Sequence, residues 1–269
     1  FISVLIIWII TFIHLNGINL VSRINNIGVV TEMIGVLMLI IFLGYFLLNK
    51  TDIEMSLNYI KLGQWMNENG FYTNSRLENK KAIFDYVLRT IKDKKVLYLE
   101  FGVFKGNTTN YWANQLTNEN SVLHGFDSFE GLPESWDKIN KKGCASAEGN
   151  IPNIKDKRVK FFKGWFNEVL PNYSIPNSKN FDKTILILDA DLYSSTSFVL
   201  RHFRDYIKKG FLLYFDDMNR PEHEPKAFSE LIESTGLDFK LIATDKSFNR
   251  CCFECIGKTK HTNQIYCNK

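Results

Sequence analysis

The sequence predicts an α/β protein with a doubly wound, mostly parallel sheet. Short apolar runs of strand length alternate with stretches of helical periodicity, a pattern typical of that class. A glycine loop at Gly102 and Gly106 joins one such run to the start of a helix. The chain has 269 residues, of which 45% are hydrophobic. This length and composition suffice for one sizeable α/β domain with an appendage.

Strands are predicted where short apolar runs stand between turn residues, and helices where apolar residues recur at helical spacing. The unbroken apolar run at 184–188 is typical of a parallel strand buried on both faces. The predicted strands are residues 96–100, 122–126, 159–162, 184–188, 211–215, 239–243 and 250–256. The predicted helices are residues 76–91, 107–116, 194–209 and 222–234.

Apolar residues dominate the amino-terminal part of the chain. Residues 1–15 are nearly all apolar, and a second run at 29–48 is long enough to span a bilayer. Lys50 and Lys61 follow this run, and by the positive-inside tendency they would leave the large domain in the cytoplasm. Two alternatives stay open. One is a leader before a natural start at Met55, which would make the protein cytoplasmic, and the other is a buried helical pair.

The expected organisation has four parts. Residues 1–50 would form an apolar segment with one or two transmembrane helices, and residues 51–93 a helical cover over the sheet. Residues 94–258 would form the α/β domain, and residues 259–269 a carboxyl-terminal tail. Within the domain, the polar stretch at 137–157 shows little periodicity and is predicted to be a long loop of the kind that often serves as a lid.

The charge and the cysteines argue against two classes of protein. A net charge of +4 without a basic stripe gives no indication of a nucleic-acid partner. The five cysteines, three of them between 251 and 255, favour a reducing compartment over a disulfide framework. Cys252 and Cys255 have C-x-x-C spacing, but no second pair with His at zinc spacing follows them. We expect a core strand there rather than a metal site.

The glycine loop is a candidate ligand site, because ligands of open α/β sheets bind at the carboxyl ends of strands. Gly102 and Gly106 let a ligand approach the backbone, and the helix that starts near Thr108 offers free N–H groups. Glu100 would repel a phosphate and suit an ammonium or sulfonium group. Asp127, just past the next strand, is placed to accept ribose hydroxyls. A plain turn without a ligand is the alternative, and the missing third glycine disfavours a nucleotide-sugar dehydrogenase.

Pairs of acids end two neighbouring strands of the predicted sheet. Because carboxylates that converge at one sheet edge repel one another, a cation or protons must compensate them. Oxygen ligands suit Mg²⁺, so we expect this ion at the edge. Capping of the next helix would explain any one of these acids well, but it explains all of them poorly. The acids are Asp189, Asp191, Asp216 and Asp217.

Several strings of the sequence together resemble the macrocin and mycinamicin sugar O-methyltransferases, a class I S-adenosylmethionine-dependent group. The strings are EFGV at 100–103 with Gly106, GFDSFEGLPE at 125–134, GWF at 164–166, LDADLYS at 188–194 and FDD at 215–217. The resemblance covers roughly residues 57–256, and FDSFEGLP and DADLYSS are its most specific strings. It implies a Rossmann-like methyltransferase sheet with an antiparallel last strand, a Mg²⁺ ion, and methyl transfer to a hydroxyl, usually of a sugar.

The resemblance also implies a role for each candidate residue. The residues implied at the methionine end of the cofactor are Glu100, Gly102, Gly106 and Thr108. Those implied at the ribose and the adenine are Asp127, Ser128, Gly164 and Trp165, although Trp165 could equally belong to the core. The implied metal ligands are Asp189, Asp216 and Asp217, and the implied general base is Asp191, which would take the proton of the acceptor hydroxyl.

We therefore expect a Mg²⁺-dependent O-methyltransferase that acts on a sugar hydroxyl of a glycan, a glycolipid or a glycosylated small molecule. The apolar amino-terminal segments favour an acceptor at a membrane. A membrane-tethered binding module without catalysis is the alternative, and a homo-oligomer is compatible with the sequence. Loops 137–157 and 218–225 would face the acceptor. His223, in the second loop, is expected to be solvated, with an acceptor contact as the alternative.

Overall fold

The computed structural model of the chain describes residue 8, residues 18–48 and residues 50–258. The chain divides into two compact units, Phe1–Leu57 and Asn58–Lys269. In the first unit, helix α1 spans Ile18–Leu48. Helix α2 (Lys50–Glu68) begins in the first unit and ends in the second. The finer boundaries expected from the sequence, at residues 50, 93 and 258, stay predictions.

The expectation of a transmembrane helix in the amino-terminal segment is corrected by the structure. Over the described ranges, no helix combines the length and the apolar character that crossing a membrane requires. The transmembrane helix expected at 29–48 is therefore not found. The apolar run predicted at 1–15, Trp8 apart, and the tail predicted at 259–269 lie outside the described residues. The cytoplasmic location of the large domain stays a prediction.

The second unit is built around a sheet that has eight strands within residues 58–258. Their order across the sheet is β1-β7-β8-β6-β5-β2-β3-β4. The strands are β1 (Arg76–Leu77), β2 (Val96–Phe101), β3 (Val122–Asp127), β4 (Val159–Lys163), β5 (Lys183–Leu188), β6 (Leu212–Phe215), β7 (Asp238–Asp245) and β8 (Cys251–Gly257).

Strand directions confirm the predicted sheet. Every neighbouring pair is parallel except the two that include β8, which runs antiparallel to both β6 and β7. The last strand is thus the antiparallel one, as the resemblance implied. Because β2, β3, β5 and β6 are mutually parallel, their carboxyl ends meet at one edge of the sheet, where ligands of such sheets bind.

Helices cover both faces of the sheet, which makes the fold doubly wound. The helices after α2 are α3 (Lys80–Ile91), α4 (Asn107–Gln115), α5 (Phe166–Val169), α6 (Tyr193–Phe203) and α7 (Glu224–Thr235). On one face, α3 and α4 pack through residues such as Phe84 and Trp112 against Tyr98 of β2. On the other face, α6 and α7 pack against Phe101 and its neighbours. Successive side chains of β2 therefore point alternately into two hydrophobic cores, one on each face of the sheet.

Two predicted helices differ from the observed ones. The helix predicted at 76–91 begins at Lys80, because Asn79 caps it by accepting a hydrogen bond from the N–H of Ala82 at 3.0 Å. The residues before the cap form the short parallel strand β1, paired with β7. The helix predicted to run to residue 209 ends at Phe203.

The described cysteines agree with the predicted core strand. Cys251, Cys252 and Cys255 are free and buried in β8, and Cys144 is free and exposed. Burial raises the pKa of the Cys251 thiol to about 12, so this thiol stays protonated. The three buried cysteines of β8 therefore belong to the hydrophobic core and not to a metal site.

Candidate active site

A cavity of 450 Å³ lies at the carboxyl ends of β2, β3 and β5. Gly102 after β2, Asp127 at the end of β3, and Asp189 after β5 line it together. The strand order brings these ends together, because β2 lies between β3 and β5. Glycines, a lone acid and an acid pair that are far apart in the sequence therefore share one cavity.

The glycine loop lies in close contact with the loop after β5. Gly102 has φ +93, and a Cβ atom built on it would overlap the carbonyl oxygen of Asp189. Gly106 precedes α4, and a Cβ atom there would lie 2.7 Å from the Cβ of Pro152. Thr108, in the first turn of α4, lines the cavity. The absence of a Cβ at position 102 therefore lets the glycine loop touch the loop after β5.

Asp127 ties the glycine loop to the end of β3. Its Oδ2 accepts hydrogen bonds from the N–H groups of Val103 and Phe104, at 2.7 and 2.8 Å. Its Oδ1 accepts one from the N–H of Phe129, at 2.7 Å. A carboxylate offers about four lone-pair directions. Asp127 therefore anchors the loop, a role that the sequence did not predict, and keeps acceptor capacity toward the cavity.

Ser128 and Gly164, the positions predicted for the adenine, also line the cavity. The N–H of Gly164 donates to the carbonyl oxygen of Asp127 at 2.9 Å. Trp165 does not line this cavity. The next residue, Phe166, does, and its ring packs edge-on against Phe101 at 5.9 Å between ring centres. The turn between β4 and α5 decides which of these two consecutive aromatic residues faces the cavity.

Glu100 is fully buried beneath the glycine loop and is not part of the cavity wall. Its Oε2 accepts hydrogen bonds from Thr109 and, at 2.9 Å, from the hydroxyl of Tyr98. Burial raises the pKa of Glu100 to about 8, against the effect of these hydrogen bonds. The alternation of side chains in a strand places Tyr98 and Glu100 on the same face, so the sequence could have predicted this burial.

The four acids after β5 and β6, here called the acid centre, divide into two sides. Asp189, Asp191 and Asp217 form the open side, where one oxygen from each lies within 4.8 Å of the other two. Asp189 and Asp191 line the cavity. The open side therefore meets the place where a ligand would bind.

Negative charge is in excess on the open side. Burial, followed by the nearby charges of Asp217 and Asp189, raises the pKa of Asp191 to about 8. Burial and Asp216 raise the pKa of Asp189 to about 6, and burial likewise raises the pKa of Asp217. Three carboxylates this close are stable only with protons or a cation between them. Their oxygens fit a hard divalent ion such as Mg²⁺.

Asp216, with the three side chains that donate to it, forms the paired side of the centre. Its Oδ1 lies 3.0 Å from Nζ of Lys80, 3.2 Å from Nε of Arg250 and 2.5 Å from the hydroxyl of Tyr214. Burial alone would raise the pKa of Asp216, but these partners outweigh burial and the pKa lies below its usual value. Asp216, predicted as a metal ligand, is thus placed outside the cluster of three acids.

Lys80 and Arg250 were not found from the sequence. Lys80 opens α3 and is 109 residues from Asp189, whose Oδ2 accepts a hydrogen bond from it at 2.7 Å. Arg250 is 34 residues from Asp216. Nothing in the spacing of a single sequence connects a lysine on a cover helix with acids at strand ends. Tyr214 carries a signal, because it stands two positions before Asp216 and hence on the same face of β6.

The two loops expected to face the acceptor contact each other beside the acid centre. Arg220 donates to Oδ2 of Asp137 at 3.1 Å, and its guanidinium lies 5.2 Å from the ring centre of Trp136. His223 packs edge-on against Trp136. Its Nδ1 accepts a hydrogen bond from the N–H of Tyr193 at 3.0 Å, and the residue is half-buried. The expectation of a solvated His223 is therefore wrong.

Comparison with known proteins gives a family match and several structural likenesses. The family model described as macrocin-O-methyltransferase (TylF) matches residues 71–249. No curated protein matches the sequence. CalS11, a calicheamicin methyltransferase, is 18% identical, with 74% of this chain and 91% of that chain covered and a TM-score of 0.49.

Two further solved structures are similar at the same level. The O-methyltransferase NovP is 20% identical, with 67% of this chain and 77% of that chain covered and a TM-score of 0.48. A structure of cmcI with Mg and SAM is 14% identical, with 66% and 71% covered and a TM-score of 0.43.

Proposed function

Since the chain belongs to the macrocin-O-methyltransferase family, we propose that it methylates a sugar hydroxyl held beside a divalent cation, with Mg²⁺ as the ion. As a member of that family it is an S-adenosylmethionine-dependent O-methyltransferase. The observation that carries the rest of the proposal is the shared wall of the cavity. Asp189 and Asp191 of the open side line the same cavity as Gly102 and Asp127, the residues proposed to bind the cofactor.

The cavity fits S-adenosylmethionine through the residues that line it. Gly102 and Thr108 would hold the methionine end, where the absence of a Cβ on Gly102 lets a ligand approach the backbone. Asp127 would accept a ribose hydroxyl with its remaining acceptor capacity. Ser128 and Gly164 would border the adenine. Phe166 is the aromatic residue that we propose there in place of Trp165.

Gly106 and Glu100 would act on the cofactor indirectly. Gly106 lies behind the loop against Pro152, and Glu100 supports the loop from below through Thr109. When bound, S-adenosylmethionine would supply the methyl group and the divalent ion would favour the ionised form of the acceptor hydroxyl. The chain's part is to hold both reactants in line and to exclude water.

The open side is the proposed metal site, with one oxygen from each of Asp189, Asp191 and Asp217. This set departs from the one that the resemblance implied, in which Asp216 is a ligand and Asp191 only a base. The support is that Asp216 already has three donors, whereas Asp189, Asp191 and Asp217 each place one oxygen within 4.8 Å of the other two. Asp191 has a second oxygen, which we propose as the acceptor of the hydroxyl proton.

The proposed acceptor is a sugar-bearing molecule: a glycan, a glycolipid or a glycosylated small molecule. Trp136 offers it an aromatic surface, held in place by Arg220 and His223. The Nε1 of Trp136 is buried without a hydrogen-bond partner among the described residues. A buried indole N–H usually has a partner. We propose that a hydroxyl of the acceptor provides one.

A binding module that keeps the fold without turnover is the competing function. The full set of acids beside the cofactor cavity favours catalysis, because binding a cofactor alone does not require carboxylates held against their mutual repulsion. Formation of S-adenosylhomocysteine with nucleotide sugars, glycolipids and glycosylated small molecules, each with and without a chelator, tests for turnover. We expect product that depends on both the acceptor and Mg²⁺.

Calorimetry tests the cofactor without any knowledge of the acceptor. S-adenosylmethionine is expected to bind the full chain at one molecule per chain, and NAD is expected not to bind. Measurable NAD binding together with none for S-adenosylmethionine would overturn the proposed function.

A further inference from the structure

The peptide unit between Asp216 and Asp217 lies just beyond β6, which ends at Phe215. Its N–H group, on Asp217, donates a hydrogen bond to Oε2 of Glu224 at 2.8 Å. Its carbonyl oxygen, on Asp216, accepts one from Nδ2 of Asn249 at 3.2 Å. Both polar groups of this peptide unit are therefore held by side chains, one from α7 and one from the turn between β7 and β8.

Glu224 is the first residue of α7, and its side chain reaches back to a residue seven positions earlier. The residue is fully buried. The hydrogen bond from Asp217 occupies one of its two carboxyl oxygens, and Oε1 has no hydrogen-bond partner among the described residues. A buried polar atom without a partner costs stability, and an apolar side chain would avoid that cost. Packing therefore does not explain a carboxyl group at this position.

Asn249 holds the other edge of the same peptide unit. Its carbonyl oxygen also accepts a hydrogen bond from the N–H of Met218 at 2.7 Å, and its own N–H donates to Oδ1 of Asp245 at 2.9 Å. The N–H and C=O groups of a trans peptide point in opposite directions. Hydrogen bonds to both groups therefore fix the rotation of the peptide plane. That rotation sets the direction in which the side chain of Asp217 leaves the backbone.

We propose that Glu224 and Asn249 are positioning residues that fix the peptide unit between Asp216 and Asp217 and so aim the carboxylate of Asp217 at the metal ion. The inference rests on the proposed function, in which Asp217 is a metal ligand. Removal of a group that orients a metal ligand typically lowers metal affinity by about 10–100-fold. Glu224 does not line the cavity, so its loss should affect metal binding and leave cofactor binding unchanged.

The test is the Mn²⁺ affinity of the full chain, measured without acceptor from the electron paramagnetic resonance of free Mn²⁺. Glu224→Gln keeps an oxygen that can accept the hydrogen bond from Asp217, whereas Glu224→Met has a similar length and no such oxygen. Both variants are uncharged at position 224, so the difference between them measures the hydrogen bond and not a change of charge. Glu224→Met is expected to bind Mn²⁺ about tenfold or more weakly than Glu224→Gln.

Asn249→Ala tests the other edge of the peptide unit and decides the question if Glu224→Met does not fold. Asn249 is half-buried, and the substitution keeps the backbone carbonyl that accepts from Met218. The variant removes the side-chain donor to Asp216. Its Mn²⁺ affinity is expected to fall by about tenfold from that of the original protein.

Two further measurements separate positioning from a general loss of stability. Leu231→Ala is the control, because Leu231 is a buried core residue of the same helix. It is expected to lower the melting temperature while its Mn²⁺ affinity stays within about twofold of the original. In Glu224→Met, calorimetry is expected to give an affinity for S-adenosylmethionine within about twofold of the original. A residue that only stabilised the fold would lower both affinities together.

Either of two results would overturn the positioning role alone. The first is equal Mn²⁺ affinity of Glu224→Met and Glu224→Gln. The second is an Asn249→Ala protein that binds Mn²⁺ as tightly as the original. Absence of Mn²⁺ binding in the original protein would overturn the metal site of the proposed function together with this inference.

Discussion

Asp216 and Asp217 are neighbours in the sequence but lie on different sides of the acid centre. Asp216 accepts hydrogen bonds or ion pairs from Lys80, Arg250 and Tyr214, and its pKa lies below the usual value. One oxygen of Asp217 lies within 4.8 Å of oxygens of Asp189 and Asp191, and burial raises the pKa of Asp217. The comparison shows that the position of an acid at a strand end does not decide its role. The donors that surround it decide whether it stabilises the fold or is left for a ligand.

The largest effect is expected on the open side, for Asp191→Asn. An amide cannot accept the proton of the hydroxyl, so turnover should fall by about 10²–10⁴-fold. Affinity for Mn²⁺ should also fall, by about a hundredfold or more, because Asp191 is one of the three proposed ligands and an amide carries no charge. Both are measured on the full chain, with Asp205→Asn as a control, because the side chain of Asp205 is 92% exposed. Turnover near that of the control would show that Asp191 is not the general base. The open and paired sides of the acid centre would then not differ in function.

Gly102→Ala tests whether cofactor binding depends on the shape of the glycine loop. Metal binding at the acid centre, by contrast, is expected to depend on charge. The added methyl group would overlap the carbonyl oxygen of Asp189, so affinity for S-adenosylmethionine should fall by about tenfold or more. Gly143→Ala is the matched control, because Gly143 also has a positive φ, +82, but has open space around it. Calorimetry compares the two variants. Equal losses would mean that backbone strain, rather than the contact with Asp189, limits the loop.

Added Mg²⁺ is expected to stabilise the protein by relieving the repulsion on the open side. At a hundredfold excess over Kd, binding contributes about 2.7 kcal/mol. For a domain of this size, that corresponds to a rise in melting temperature of about 5–10 °C. In Asp217→Asn the rise should be much smaller. If the variant gains as much as the original protein, the ion binds somewhere other than the open side.

The smallest effect is expected on the paired side, for Tyr214→Phe. Asp216 loses one of its three donors but keeps Lys80 and Arg250, so stability should fall by about 1 kcal/mol and the melting temperature by about 2–4 °C. Affinity for Mn²⁺ should stay within about twofold of the original. A large loss of metal affinity in this variant would show that Asp216 takes part in metal binding after all.

The sequence predicted what depends on local pattern. The strands other than β1, the glycine loop, Asp127 and the four acids were all recognisable, because strand periodicity and turn residues act over a few positions. The sheet then brings the strand ends together, as expected for parallel strands. These features place the candidate site without knowledge of any other contact.

The features that the sequence did not predict depend on contacts between distant segments, or on which side chain a turn directs toward the cavity. Lys80 lies 109 residues from Asp189, and no local pattern pairs them. The choice of Phe166 over Trp165 depends on the turn before α5, which the sequence does not specify. Glu100 is the exception, since its burial beside Tyr98 follows from strand alternation and was open to prediction. The division of the acid centre could not be predicted, because it is made by cations from other elements.

The most direct test compares the neighbouring acids in one measurement. Mn²⁺ affinity is determined by electron paramagnetic resonance for Asp217→Asn and for Asp216→Asn, in the full chain without acceptor. Loss of a ligand should lower the affinity of Asp217→Asn by about a hundredfold or more. Loss of a nearby charge should lower that of Asp216→Asn by only about tenfold. If Asp216→Asn loses as much affinity as Asp217→Asn, or more, the metal ion is not bound by the open side and the division of the acid centre is wrong.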